Sequence, residues 1–193
     1  MTEERTATGT ATDREALPVE LVDERGRAIG SCPVAQAHTA PGRLHRAFSV
    51  MVFDAAGRML MQQRAAVKTR FPLLWTNTCC GHPEPGQAVA EAAGIRLREE
   101  FGITAELTEV GEFRYQATDP ATGRVEHEYD HVLIGRLEGV VPQPNPDEIE
   151  DFAWVRPEAL RTSLAHAPEA HTPWLPQVLD YAERAFRSGS VGR

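Results

Sequence analysis

Leu44-His45-Arg46-Ala47-Phe48-Ser49-Val50-Met51-Val52-Phe53, then Asp54-Ala55-Ala56-Gly57, then, after Arg58, Met59-Leu60-Met61-Gln62-Gln63, is the stretch that decides the fold. Two apolar-rich runs joined by a segment with aspartate and glycine read as a β-hairpin. A purely parallel sheet has no use for a hairpin, so the sheet is mixed. Downstream, from Gln87 to Phe101, the period changes. Val89, Ala93, Leu97 and Phe101 recur every four residues as one apolar stripe, and Gly102 stands where a C-cap glycine belongs. Two further strands are expected at Glu112–Thr118 and Val125–Leu137, joined by the turn Asp119-Pro120-Ala121-Thr122-Gly123, and a short one at Phe152–Val155. Pro157 opens a helix to about Leu164, and Pro173 or Trp174 begins a last helix running to about Phe186. Upstream, Val19–Asp23 is a short strand stopped by Gly26. The expected class is α/β (α+β), a mixed β-sheet with helices on its faces. No repeat, linker or low-complexity stretch divides the chain. One compact domain is expected over residues 18–187, with loose tails over 1–17 and 188–193 that have almost nothing to bury.

The 193 residues are 41% hydrophobic and 25% charged, the balance of an ordinary soluble globular chain. Lys and Arg number 20 against 28 Asp and Glu, a formal charge of −8. No basic excess exists to displace phosphate counterions, which argues against nucleic acid as a partner. No apolar run approaches the roughly 18–20 residues that span a bilayer, so no membrane partner is expected. The first residues lack the apolar core of a secretory signal. Three cysteines, two of them adjacent, make a poor disulfide framework, and a reduced, cytoplasmic setting is expected. No helix shows a second apolar face, so the expected state is a monomer.

Trp75-Thr76-Asn77-Thr78-Cys79-Cys80-Gly81-His82-Pro83 gathers Trp, Cys, His and Gly just ahead of the long helix. A thiol beside a histidine and near a helix N-terminus is a candidate nucleophile or acid/base group through a lowered pKa. Cys80 has that context, whereas Cys79 reads as a small buried hydrophobe. No second cysteine pair completes a zinc site. Arg96 and Glu100 lie four apart, which by itself reads as an exposed ion pair. Glu99 and Glu100, however, occupy the last helical turn, where the dipole disfavours anions, and a nearby divalent cation removes that conflict. In Val125–His131, read as a strand, Glu126, Glu128 and Asp130 share one face at intervals of about 7 Å. Three carboxylates so placed repel unless water or a cation separates them. A solvated edge strand is the alternative, but Val132 and Ile134 continue the same parity, so that face is at least partly buried. His38 and His45 flank a turn-rich stretch; either alone reads as a surface or capped histidine, and only if they converge with His82 and two glutamates would they form an all-N/O site suited to Zn²⁺, Mn²⁺ or Mg²⁺. His166 and His171, in a Pro/Ala-rich connection, read as solvent-exposed. Arg64 and Lys68, the only lysine, are either solvated charges or an anion clamp. A diphosphate needs several cations and a bridging metal.

These residues resemble type I isopentenyl-diphosphate isomerase, a member of the Nudix-like superfamily. The similarity runs from about Val19 to Trp174. It is carried by Ala37-His38-Thr39, Arg43–Ser49, Leu74–Pro83, Phe113-Arg114-Tyr115, Glu126-His127-Glu128 and Thr172-Pro173-Trp174. The resemblance implies a Nudix-like mixed β-sheet sandwiched by helices. It implies an isomerase of isoprenoid biosynthesis whose partner is a small molecule, isopentenyl or dimethylallyl diphosphate. Position by position, it makes Cys80 and Glu128 the catalytic groups on opposite faces of the substrate. Tyr115 is then the tyrosine associated with Glu128, and Trp174 the indole facing the developing cation. His38, His45, His82, Glu126 and Glu128 become ligands of a divalent ion, Mn²⁺, Zn²⁺ or Mg²⁺, and Glu100 is associated with a Mg²⁺ that bridges to the diphosphate. Arg64, Lys68 and Arg96 hold the diphosphate.

Two departures matter. Where a Nudix hydrolase box has a Glu and an Arg-Glu pair ahead of its final Glu-Glu, this chain has Gln87, Ile95 and Arg96. That depletes the carboxylates that hold several Mg²⁺ ions and weakens the alternative of a Nudix-type diphosphate hydrolase. Val34 stands where some members have a substrate-contacting lysine. A third reading, a Nudix-like binding module without catalysis, ranks last because Cys80 and Glu128 are both present.

Overall fold

The structure, a computed structural model, describes residues 14–189. In chain order the elements are β1 (Pro18–Val22), β2 (Ala28–Pro33), a single turn α1 (Val34–Ala37), β3 (His45–Asp54), β4 (Met59–Arg64), β5 (Trp75–Thr76), β6 (Cys79–Gly81), α2 (Val89–Phe101), β7 (Leu107–Thr118), β8 (Val125–Leu137), β9 (Ile149–Val155), α3 (Pro157–His166), a 3₁₀ turn at Pro168–Ala170 and α4 (Leu175–Ser188).

The hairpin is present. β3 and β4 meet at Phe53 opposite Met59, and Asp54 Oδ1 accepts from the amides of Ala56 and Arg58 at 2.9 and 2.8 Å. β3 also pairs in parallel with β8 along its whole length, while β6 and β7 are antiparallel to β3 and β8 respectively. The sheet is therefore mixed. Its two faces follow the alternation of the strands. Met51, Phe53, Val132 and Ile134 point to α4, where Leu175, Val178, Leu179 and Ala182 complete one core. Phe48, Val50, Val52 and Leu133 point to α2, which presents Ala93, Leu97 and Phe101 of the expected stripe. Gly102 ends α2 in the left-handed region at φ 65°. Gly81 has a different reason to be glycine: a Cβ there would lie 2.8 Å from Phe48 Cζ and 3.2 Å from Arg96 Cγ, so β6 lies against α2 only without a side chain.

The register places chemistry in a row. Glu128 of β8 lies opposite His45 of β3 on one side and Tyr115 of β7 on the other, and Ser49 lies opposite both Cys80 of β6 and Val132 of β8.

Several expectations need correcting. Of the tail expected over 1–17, residues 1–13 lie outside the described residues, and of the rest Arg14 and Glu15 are half-buried against the domain while Ala16 and Leu17 are exposed. Arg14 and Glu15 are held there by ion pairs to Glu99, Glu148 and Arg70. At the other end α4 continues through Ser188, and 190–193 lie outside the described residues. β2, β5, β6 and α1 were not expected. His171 is buried rather than exposed, because its Nδ1 donates to Ala167 O at 2.9 Å and its backbone bridges to Trp75. His166 is exposed as expected.

Candidate active site

His38 follows α1, His45 begins β3, His82 follows β6, and Glu126 and Glu128 alternate on β8. Potential ligand atoms of all five lie within 4.8 Å of one another. Backbone carbonyls orient two of the rings: His38 Nδ1 donates to Val34 O and His45 Nδ1 to Arg43 O, each at 2.7 Å. A carbonyl only accepts, so each Nδ1 carries a proton and each Nε2 is left to face the cluster. Nε2 of both rings and Glu126 Oε2 are buried without a hydrogen-bond partner. His38 Nε2 nevertheless sits 2.8 Å from Glu126 Oε2, and His82 Nε2 is 2.9 Å from Glu128 Oε1. Lone pairs and carboxylates gathered out of water require positive charge among them, and this donor set fits a divalent metal ion. Burial pushes His82 down to about 4, against the pull of Glu128. At His45 burial acts the same way, but Glu128 outweighs it and the ring is held above its ordinary value. Burial would raise Glu128, yet its contacts with His45 and His82 hold it well below the usual carboxylate range.

Beside this cluster lies a wall of different character. Tyr115 donates to Glu128 Oε2 at 2.5 Å, and its ring is 5.7 Å from that of Trp174. The indole of Trp174 is only 3% exposed and meets the edge of Phe71 at 5.5 Å. Cys80 turns to this side of the sheet, whereas Cys79, its neighbour, turns to the α2 core. The expected lowering of the Cys80 pKa is not found: burial, then the charge of Asp130, pushes the thiol up to about 12. The reason is geometric, since α2 begins only at Val89, beyond the loop, and the thiol sits in an apolar wall. A thiol so raised keeps its proton at neutral pH. Asp130, the third rung of the carboxylate ladder, accepts from Ser49 at 2.8 Å and is raised well above the usual range by burial and by Glu128.

The far end is ionic. Arg96 pairs with Glu99, with Glu100 and, at 3.2 Å, with Glu148. Lys68 pairs closely with Glu148 and lies 4.0 Å from Glu100. The Arg96–Glu100 pair expected at the surface is thus buried, with Glu100 at 2% exposure. Arg64 donates to the carbonyls of Arg70 and Phe71 at 2.8 and 3.0 Å, and its guanidinium stands 5.8 Å from the Trp174 ring centroid. It marks the boundary between the ionic end and the apolar wall.

One cleft connects these parts. Arg64, Lys68, Arg96, Cys80, Tyr115, His82, Glu126, Glu128 and Trp174 all line it, as does Val34. Glu100, His38 and His45 stand behind that lining. Sequence reasoning missed Arg14, Glu15, Arg70, Glu148 and Asn77. Arg70 bridges Glu15 and Glu126, and Glu148 joins the cations of the ionic end. Nothing in the spacing of these residues marks them. Asn77 lay inside the Trp75–Pro83 motif but was given no role.

A family model for the NUDIX domain matches residues 43–178. The isopentenyl-diphosphate Delta-isomerase of Nocardia farcinica is 64% identical over 177 residues, covering 92% of this chain and 100% of that one. The protein of the same name from Streptomyces coelicolor is 47% identical over 174 residues, covering 90% and 87%. Among solved structures, that of DR0079 from Deinococcus radiodurans superposes with a TM-score of 0.68 at 23% identity, covering 84% of this chain and 97% of the other, a likeness of fold. The chain belongs to the isopentenyl-diphosphate Delta-isomerase family, built on the Nudix fold.

Proposed function

We propose that this chain interconverts isopentenyl and dimethylallyl diphosphate. The observation that carries the reading is the cleft itself. A protonated thiol, Cys80, and an ionised carboxylate, Glu128, line one hollow with a buried indole, and cations gather at one end. The reaction moves a double bond by adding a proton to one carbon and removing one across the allyl unit. It therefore needs one group holding a proton and one lacking it, and the pair supplies both. Cys80 and Glu128 exchange protons with opposite faces of the five-carbon tail, and Tyr115 fixes the orientation of Glu128 through its hydroxyl. The intermediate resembles a tertiary carbocation. The Trp174 face stabilises it by cation–π attraction, worth about 2 kcal/mol when desolvated. The apolar wall keeps out water, which would otherwise trap the cation as an alcohol.

Lys68, Arg64 and Arg96 bind the diphosphate, displacing contacts that Glu148 and Glu100 make with Lys68 and Arg96. His38, His45, His82, Glu126 and Glu128 hold a divalent ion, Mn²⁺, Zn²⁺ or Mg²⁺, and Glu100 is associated with Mg²⁺ at the diphosphate. When bound, these ions supply positive charge that balances the carboxylates and the diphosphate and lowers the proton affinity of Glu128. We place the isomerase domain at residues 18–187 with Arg14 and Glu15 tied to it, acting as a cytoplasmic monomer.

The test is incubation with isopentenyl diphosphate and Mg²⁺ while following an acid-labile allylic product. Its appearance without phosphate release supports the reading. Phosphate or pyrophosphate release without isomerisation would establish a Nudix-type hydrolase instead, and no turnover would leave a binding module.

A further inference from the structure

Asn77 is fully buried, and its amide touches both of the groups that the reaction needs held still. Its Oδ1 accepts from the Cys80 thiol at 3.3 Å, from the Trp174 indole N–H at 3.1 Å and from the Thr76 hydroxyl at 2.9 Å. Its Nδ2 lies 3.2 Å from Cys80 Sγ and donates to the carbonyls of Val50 and Cys79 at 3.1 and 2.9 Å. Thr172, two residues before Trp174, donates to Thr76 at 2.9 Å, so the approach to α4 is tied to the same point.

Two properties follow from this geometry. A cysteine S–H is a weak donor that turns freely about Cβ–Sγ, and Oδ1 gives it one preferred direction. An amide also presents a lone pair and an N–H side by side. With the sulfur protonated, Oδ1 accepts its hydrogen. Once that proton has gone to the substrate, one of the two Nδ2 hydrogens, shared between a backbone carbonyl and the sulfur 3.2 Å away, donates to the thiolate left behind, and no heavy atom has to move. The backbone carbonyls of Val50 and Cys79 keep the amide from flipping.

We propose that Asn77 is a positioning residue that sets the Cys80 thiol and the Trp174 indole in one fixed relation and follows the thiol through its change of charge. The proposal rests on the roles given above to Cys80 and Trp174. It concerns the turnover step, so its mark is a change in kcat at unchanged KM and unchanged metal content.

The variants are Asn77→Asp, which keeps Oδ1 for the indole and the hydroxyl but loses the N–H toward sulfur, and Asn77→Ser, which is too short to reach the thiol. Cys80→Ala is the control. Each variant is assayed for kcat and KM with isopentenyl diphosphate, for bound metal by elemental analysis and for thermal melting. Asn77→Asp is expected to lower kcat about 10- to 100-fold, as expected when a hydrogen bond to a group that becomes charged is lost. KM should stay within about 3-fold. Asn77→Ser should lower kcat at least as far, and should settle the matter if Asn77→Asp does not fold. In combination with Trp174→Phe, Asn77→Asp should cost less than the product of the two single losses, because they share an acceptor. Unchanged kcat with an inactive Cys80→Ala overturns the inference and leaves the reading of Cys80 intact. An active Cys80→Ala overturns that reading and the inference with it. A fall in kcat that tracks lost metal or a raised KM also overturns it, making Asn77 a structural residue only.

Discussion

Adjacent cysteines on one strand give opposite expectations, because alternation along β6 sends Cys79 to the α2 face and Cys80 to the cleft. Cys79 is 0% exposed among Phe48, Val50, Leu60 and Leu97. Removing its sulfur forfeits roughly one methylene of transfer free energy, about 0.8 kcal/mol, and leaves a small cavity. The sum is about 1–2 kcal/mol, comparable with deleting one buried methyl group. For a chain of this size the melting temperature should fall about 2–8 °C. No polar atom of the cleft depends on that sulfur, so kcat for Cys79→Ala should stay within about 3-fold of wild type. Cys80→Ala inverts the pattern. Its sulfur is only partly enclosed and makes long contacts of 3.2–3.7 Å to Asn77 and Ser49, so its removal should change stability by less than about 1 kcal/mol. On the proposed reading it removes the thiol that exchanges a proton with the substrate, and kcat should fall about 10²–10⁴-fold. The assays are urea unfolding and initial rates of allylic product formation on the same preparations. Equal loss of activity in the two variants would refute the assignment of faces and roles together.

Three further outcomes are expected. His45→Ala should reduce bound divalent metal and activity together, and unchanged stoichiometry by elemental analysis would remove His45 from the ligand set. Glu148 is held down to about 2 by Arg96 and Lys68 against the effect of burial. Its folded value lies below its ordinary one, so its stabilisation is present above pH 4.5 and fades as the pH falls through its titration toward 2. That contribution is about 3 kcal/mol, so the acid limb of unfolding should be visibly flatter in Glu148→Gln, and superimposable limbs would contradict the pairing. Gly81→Ala puts a methyl 2.8 Å from the Phe48 ring and 3.2 Å from Arg96 Cγ, which should cost about 1–3 kcal/mol of stability and raise KM through Arg96. Wild-type stability and KM would show that β6 yields freely.

Much of the frame was legible because local rules wrote it. Asp54 and Gly57 marked the hairpin, the four-residue stripe marked α2, and Gly102 marked its end. The parity of Glu126, Glu128 and Asp130 with Val132 and Ile134 shows that acidic residues face inward, which is what brings carboxylates to a buried cluster. What was not legible is long-range or irregular. The parallel pairing of β3 with β8, which sets His45 beside Glu128, has no local signal. β2 exposes Ala28, Ile29, Gly30 and Ser31 in succession and so shows no alternation, and β5 and β6 are too short for a period. Arg14 and Glu15 belong to a stretch with little to bury, and partners distant in sequence hold them down: Glu99, Glu148 and Arg70 through ion pairs, and Ala35 N–H and the Thr69 hydroxyl through hydrogen bonds to Glu15. His171 was misjudged for the same kind of reason: its neighbours in sequence are polar or small, and its partners come from the turn and from Trp75. The Cys80 pKa departs from the expectation because nearness to a helix in sequence is not nearness to its N-terminus in space.

The most direct measurement is a crystal structure with Mn²⁺ and a non-reactive diphosphate carrying the five-carbon tail. An anomalous peak is expected among His38, His45, His82, Glu126 and Glu128, the diphosphate against Lys68 and Arg96, and the tail lying between the Cys80 sulfur and the Glu128 carboxylate beneath Trp174. A tail bound elsewhere, or lying with both groups on the same side of it, would contradict the account.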